Sequence, residues 1–399
     1  MGFDLLAPEL CLDIHPVMHR LRQEEPVHWS PQLNAWVLTR LEDISTVLRD
    51  PRFAAGSTPG RIDMMPEAER KQLRPLRDCV ALWMGHTRRE DHQRIQQLLK
   101  SYFSPRMVEQ VLRPKARALT TRLLDAAWER GEMEIVNELG LPLSAGMIAE
   151  MLGTPTDDIK LLRWWSQNIG VIFRARKLED YLQIQGAVLE MTDYLRHFIE
   201  ARRRERREDL ISVFLDAMDA GTIHSEEEII ANCILLLFAG HESTAGVVGN
   251  GMLRLLQQRE QMERLRREPE LMPSAVEELL RFDTPIRSIN RLATEAVTLG
   301  GQTIAPGQAC CLVLAAGNRD PKFFPEPDRF DITRKPTRHL TFGYGDSYCL
   351  GAPLSRMELQ VCFGEVLRRM PRLEPRFETP DWLPLPPLWC HLASLKVGF

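Results

Sequence analysis

From about Ile229 to Gly240 the chain is apolar almost throughout, interrupted by Asn232. Ser225-Glu226-Glu227-Glu228 stands directly before it, with Ser at a cap position and Glu three residues on, the pattern of a capping box. A capped apolar helix in water has to be surrounded by other elements, so this segment demands a core built around it. The run is too short to cross roughly 30 Å of hydrocarbon, and it reads as a buried central helix. The chain has 399 residues, 44% of them hydrophobic and 27% charged, enough to enclose such a helix and also a cofactor. No Gly/Ser tract, low-complexity block or internal repeat marks a boundary, so residues 1–399 are expected to form a single domain.

The rest of the chain fits around that helix. Val27-His28-Trp29 and Ala35-Trp36-Val37-Leu38 have strand composition and are separated by Pro31 and Asn34. From about His92 to Asp219 apolar residues recur at helical spacing. Charged helices follow near Arg259–Arg267 and Ser274–Arg281. Short strands are then expected at Ala296–Leu299, Gln302–Ile304 and Ala309–Ala315, with Gly300-Gly301 and Pro306-Gly307 as turns. The fold class is mainly α with a small β-rich lobe.

Several functions are excluded early. A formal charge of -4 gives no general attraction to nucleic acid, and Arg202-Arg203-Arg204-Glu205-Arg206-Arg207 reads as a solvated helix end. The eight cysteines, Cys390 included, form no Cys-x-x-Cys pair, no zinc spacing and no disulfide framework. Met1-Gly2-Phe3-Asp4-Leu5-Leu6 is neither a secretory nor a myristoylation signal, so a cytoplasmic location without a membrane anchor is expected.

Two segments carry chemistry. In Phe342-Gly343-Tyr344-Gly345-Asp346-Ser347-Tyr348-Cys349-Leu350-Gly351 the glycines permit a tight loop that can approach a flat partner closely. The helix that follows aims its N-terminal N–H groups at Cys349, which favours a thiolate. A cysteine alone is most often a small buried hydrophobe; the loop around this one argues otherwise. Inside the central helix, Ala239-Gly240-His241-Glu242-Ser243-Thr244 places a carboxylate beside two hydroxyls. A buried acid is costly unless it is paired or used, and an acid next to alcohols can pass protons. The plainer alternative is a bent helix with a solvated Glu, its hydroxyls bonded back to the preceding turn.

The cysteine segment resembles the ligand loop of the cytochrome P450 family, Phe-Gly-x-Gly-x-(His/Arg)-x-Cys-x-Gly, departing from it only at Ser347. The acid segment is similar to the family's (Ala/Gly)-Gly-x-(Asp/Glu)-Thr motif, with Ser243 at the usual threonine. Glu278-Leu279-Leu280-Arg281 together with Arg329 looks like its Glu-x-x-Arg network, a structural support for the loop. Trp83, His92 and Arg94 with Phe103-Ser104-Pro105-Arg106 resemble its proximal helix, with Gln96 where a second propionate arginine usually stands. The resemblance runs from about Pro16 to the end of the chain.

It implies a cytochrome P450 fold holding heme b, iron protoporphyrin IX, with Cys349 as the iron ligand. The cofactor would rest on His92, Arg94, Ala239, Gly240, Arg291, Phe342, Gly343, Gly345 and Gly351. Glu242, Ser243 and Thr244 would handle protons, while Trp83, Ile172, Ile286 and Ile289 would line a lipophilic substrate such as a polyketide, terpenoid, steroid or fatty acid. The activity implied is that of a monooxygenase that hydroxylates or epoxidises its substrate. Its electrons would come from NAD(P)H through a ferredoxin or flavodoxin and its reductase, steered to Arg88, Arg89, Arg94, Lys100, Arg106 and Arg356 on a monomer. Two other readings stay open, a heme-thiolate peroxygenase and a non-catalytic heme gas sensor. The retained acid and alcohol argue against both.

Overall fold

A computed structural model describes residues 3–56, 58–173, 175–335, 337–383 and 391–399. Met1, Gly2 and Cys390 lie outside the described residues. The central helix spans Glu226–Gln257 and is far longer than the apolar run that announces it. Ser225 caps it, its hydroxyl accepting from the Glu228 N–H at 3.2 Å. The Glu228 carboxylate reaches back one residue further than a capping box requires and accepts from the His224 N–H at 2.7 Å. At 32 residues this helix is long and apolar enough to cross a membrane, as is the stretch Ile135–Leu152. Both are mostly buried inside the fold, which accounts for their apolar composition.

Helices Leu141–Leu152, Ile159–Gly170, Leu178–Arg204 and Ala352–Arg369 pack on the central helix. Its glycines let them approach. A Cβ on Gly240 would stand 2.8 Å from the Ile148 side chain, and one on Gly251 would stand 2.8 Å from the Phe363 ring. The main core runs through these helices, from Ile62 to Val397.

The lobe is a five-stranded sheet in the order Val27–Ser30, Ala35–Leu38, Ala309–Leu312, Ile289–Ala293, Phe53–Ala55. Neighbours are antiparallel except Ala35–Leu38 with Ala309–Leu312, which run parallel in the register Trp36 to Cys310. Asn34 makes the first turn with a left-handed φ of 48°. The strand expected to reach Ala315 stops at Leu312, and Leu314–Gly317 winds into a short helix. Gly317 is closely covered there by Leu340 and Ile44. Val297–Leu299 and Gln302–Ile304 form a hairpin through Gly300 and Gly301, both at positive φ.

The arginine run at the end of Leu178–Arg204 is more than a solvated face. Arg202 is buried, bonded to Asp209 and to the Gly153 carbonyl, while Arg203 pairs with Glu226 and Arg206 with Asp216 and Asp219. Cys79, Cys233, Cys310, Cys311, Cys349 and Cys362 are free.

Candidate functional site

The cysteine loop is closed by its own backbone. The Cys349 N–H donates to the Phe342 carbonyl at 2.8 Å, and the Tyr348 N–H to the Gly345 carbonyl at 3.1 Å. Gly343 and Gly345 sit at φ 74° and 69°, conformations that a side chain would strain. Helix Ala352–Arg369 starts directly behind the loop. Cys349 as a whole residue is exposed, although its neighbours Phe342 and Ala352 are buried and protein packs around its thiol. Burial in the surrounding protein pushes the Cys349 thiol above its usual range, while the N–H groups of Gly351 and Ala352 and the charge of Arg356 pull the other way. The helix terminus therefore acts as expected, but desolvation outweighs it in the chain alone, and binding to a metal is what fully deprotonates such a sulfur.

A cage of charges braces this loop from behind. Arg356 donates to both oxygens of Glu277, at 2.6 and 2.9 Å, and to the Tyr348 hydroxyl at 3.0 Å; its guanidinium lies 4.5 Å from the centre of the Phe342 ring. His339 approaches Glu277 at 3.3 Å. Burial opposes it, but the hydrogen bonds from His339 and Arg356 and the Arg356 charge hold the Glu277 carboxyl down at about 2. Arg356 is thus an internal strut and not a free docking cation. Glu277 and His339 were missed from the sequence; the two adjacent acids Glu277-Glu278 on one helix were the available signal.

Glu278 faces the other way. It is buried and bonded to Arg281 at 2.7 and 2.8 Å. The third member of this network is Arg334, whose Nε donates to both Glu278 oxygens at 3.2 Å. Arg329, expected in that place, lies outside and pairs with Glu326; its carbonyl merely accepts from Arg334. From Arg281 the chain of bonds continues through the Asn318 carbonyl, and Asn318 itself holds Leu340 N–H and the Thr341 hydroxyl just before the loop.

Helix Arg89–Lys100 closes one flank. Arg89 pairs with Asp346, and the Gln96 amide donates to the Asp346 carbonyl at 3.2 Å, so Gln96 holds the loop backbone. The His92 Nδ1 bonds the Met84 carbonyl at 2.8 Å, and its Nε2 is buried without a partner. Arg94 is committed elsewhere: it binds Glu228, Asp91 and the Thr222 carbonyl, clamping this helix to the start of the central one. Arg291 donates to the Asn290 carbonyl, and burial lowers its pKa; no carboxylate among the described residues pairs with it. Asn232, the lone polar residue of the apolar run, bonds Met84 N–H and the Leu82 carbonyl and so anchors the segment carrying Trp83. Trp83 is buried and stacks on Phe238 at 5.8 Å.

On the central helix Ala239 is exposed in the middle of a buried stretch, whereas Gly240 is turned to Ile148. His241 is fully buried, which pushes its imidazole down to about 3 and keeps it neutral. The Ser243 hydroxyl donates to the Ala239 carbonyl at 2.8 Å, the back-bond that the plainer reading anticipated, and its lone pairs stay available. Thr244 is buried and directed at Ser355 on the helix behind the cysteine loop, 3.4 Å away. Glu242 is half-buried beside Gly170. Ile172 is buried; Ile286 and Ile289 are half-buried.

The residues fit a flat, anionic, iron-bearing ring: an exposed cysteine amid buried neighbours, an orphaned histidine nitrogen, and an arginine with no carboxylate among the described residues. Among the described residues no group of three or more His, Cys, Asp or Glu is arranged to hold a bare metal ion, so the sulfur does not belong to a multidentate side-chain site.

Comparison with known proteins agrees. The family model for Cytochrome P450 matches residues 178–382. Cytochrome P450 107B1 of Saccharopolyspora erythraea is 37% identical, over 93% of this chain and 91% of that protein. Vitamin D(3) 25-hydroxylase of Pseudonocardia autotrophica is 33% identical, over 93% of this chain and 89% of that protein. The crystal structure of P450BioI in complex with hexadec-9Z-enoic acid ligated acyl carrier protein superposes with a TM-score of 0.90 at 32% identity, over 98% of this chain and all of that one.

Proposed function

The chain belongs to the cytochrome P450 family, as a monooxygenase of the bacterial type with a heme-thiolate cofactor, and from that premise we propose that it binds heme b through Cys349 and oxidises a lipophilic small molecule. The observation that carries this is Cys349, an exposed residue at the head of its helix, set in a self-closed loop. When bound, the heme supplies the iron chemistry that activates O₂.

The remaining assignments concern the chain's own groups. Cys349 holds the iron, and His92 and Arg291 receive the ring's carboxylates. Ala239, Gly240, Phe342, Gly343, Gly345 and Gly351 give it flat ground, while Arg94 holds the helix that carries His92. Glu242 holds a proton for the cleft, and Ser243 passes it on through lone pairs that its back-bond leaves unused. Thr244 supports this by tying the central helix to Ser355. Trp83, Ile172, Ile286 and Ile289 exclude water and orient the substrate. The acyl-carrier complex of one relative and the vitamin D chemistry of another support a polyketide, terpenoid, steroid or fatty acid. Electrons from NAD(P)H arrive through a ferredoxin or flavodoxin with its reductase, docked near Arg88, Lys100 and Arg106, which remain exposed. The chain works as a cytoplasmic monomer and a single domain.

The test is a reduced, carbon-monoxide difference spectrum, with a spin-state screen of lipophilic compounds on the same sample. A thiolate-ligated spectrum that is lost in Cys349→Ala is expected. Protein that stays colourless after expression with ample heme, or keeps its spectrum without Cys349, overturns the proposal.

A further inference from the structure

Gly170 is the last residue of helix Ile159–Gly170, and its backbone stands against the acid of the central helix. A Cβ built on Gly170 would lie 3.1 Å from Glu242 Oε2, 3.2 Å from Oε1 and 3.5 Å from the carboxyl carbon. Contacts of 3.0–3.4 Å are tighter than nine in ten that real Cβ atoms make, so even a methyl group there would have to move the carboxylate. Both nearest atoms are the oxygens themselves, so the bare backbone limits how far the carboxylate can swing toward this helix.

Glycine at this position is not explained by backbone conformation. Gly170 is absent from the residues at positive φ, and the helical backbone it adopts suits alanine better than glycine. The sequence therefore forgoes helix stability at a place where a side chain would meet Glu242. Gly186, on the neighbouring long helix, shows the contrast: a Cβ there would meet nothing within 4 Å.

We propose that Gly170 is a positioning residue for Glu242, its missing side chain setting where the carboxylate lies and so how the proton is presented to the cleft. This rests on the reading of Glu242 as proton donor. Proton transfer needs heavy atoms within about 2.6–3.2 Å, so a displacement of a few tenths of an ångström reaches the rate while leaving the fold intact. The helix end thereby couples the substrate-facing cover of the cleft to the acid beneath it.

The experiment uses ferric holoenzyme with hydrogen peroxide as the probe and guaiacol as the reporting electron donor, because cleaving peroxide needs a proton moved between its two oxygens whatever the natural substrate is. Wild type, Gly170→Ala, Glu242→Gln, Glu242→Asp and the Gly170→Ala/Glu242→Asp double variant are compared, with urea midpoints for each. Gly170→Ala should slow peroxide cleavage roughly tenfold with an unchanged or higher midpoint, since alanine is the better helix former. Glu242→Asp withdraws the carboxylate by one methylene and makes room for the methyl, so adding Gly170→Ala to it should cost much less than it costs the wild type. If Glu242→Gln slows the reaction and Gly170→Ala does not, the positioning role alone is overturned. A lowered midpoint in Gly170→Ala, with the same rate loss in the Glu242→Asp background, makes Gly170 a structural residue and also overturns it. If Glu242→Gln leaves the rate unchanged, the proton-donor reading itself fails.

Discussion

The cysteine loop and the acid segment of the central helix are built differently. The cysteine loop is fixed by charge: Glu277, Arg356 and His339 directly beneath it, and Glu278, Arg281, Arg334 and Asn318 one layer further out. The facing stretch of the central helix is fixed by space, through Gly240 against Ile148, Gly170 against Glu242 and a serine bonded to its own helix. A sulfur ligand has to stay in one place, so a rigid ionic frame suits it. Glu242 meets the bare backbone of Gly170, which leaves its carboxylate room that a side chain there would take.

That contrast can be broken by substitution. The largest effect is expected in the outer charge layer: Arg281→Met leaves buried Glu278 with Arg334 and the Asp331 N–H as its remaining partners, and should cost about 3–5 kcal/mol in urea unfolding. A loss below about 1 kcal/mol would mean that the ionic frame is dispensable. Arg356→Leu removes a partly exposed pair and a ring contact and should cost about 1–2 kcal/mol. It should also weaken heme retention, measured as release to apomyoglobin, where Arg281→Met at matched stability should not.

Glu358, buried on the helix behind the loop, sharpens the comparison. Burial holds its carboxyl well above the usual range, and one of its oxygens lacks a partner. A group that keeps its proton more tightly when folded stabilises less as pH rises above the unfolded value of about 4.3. As pH rises above that value the parent should therefore lose stability that Glu358→Gln keeps. Equal pH slopes for the two proteins would show that Glu358 finds a compensating partner. The smallest effects belong to the alcohols. Ser243→Ala should change stability by less than about 0.5 kcal/mol while lowering the yield of product per O₂ consumed, whereas Thr244→Val, which removes a long supporting contact to Ser355, should lower that yield much less.

The cysteine loop, the acid helix and the mixed α and β layout were legible because each is written in contiguous residues. Glycine spacing reports a turn, an apolar run reports burial, and a cap reports a helix start. Strands at Val27–Ser30 and Ala35–Leu38 and the hairpin through Gly300-Gly301 follow the same local rules. The partners of charged residues were not legible in this way. Arg329 and Arg334 are five apart in the chain and equally basic, yet only Arg334 reaches Glu278; Arg94 and Arg356 looked like surface cations and are internal clamps.

The sequence by itself marked Cys349 and Glu242 as the candidates for chemistry, since residue identity and short spacing single them out. Only the tertiary structure decided which arginine pairs with which carboxylate, that Thr244 turns to Ser355, and that a glycine from another helix leaves room for Glu242. Those outcomes depend on how distant segments meet, because an ion pair or a close contact is set by side-chain direction and distance, which residue order does not encode locally.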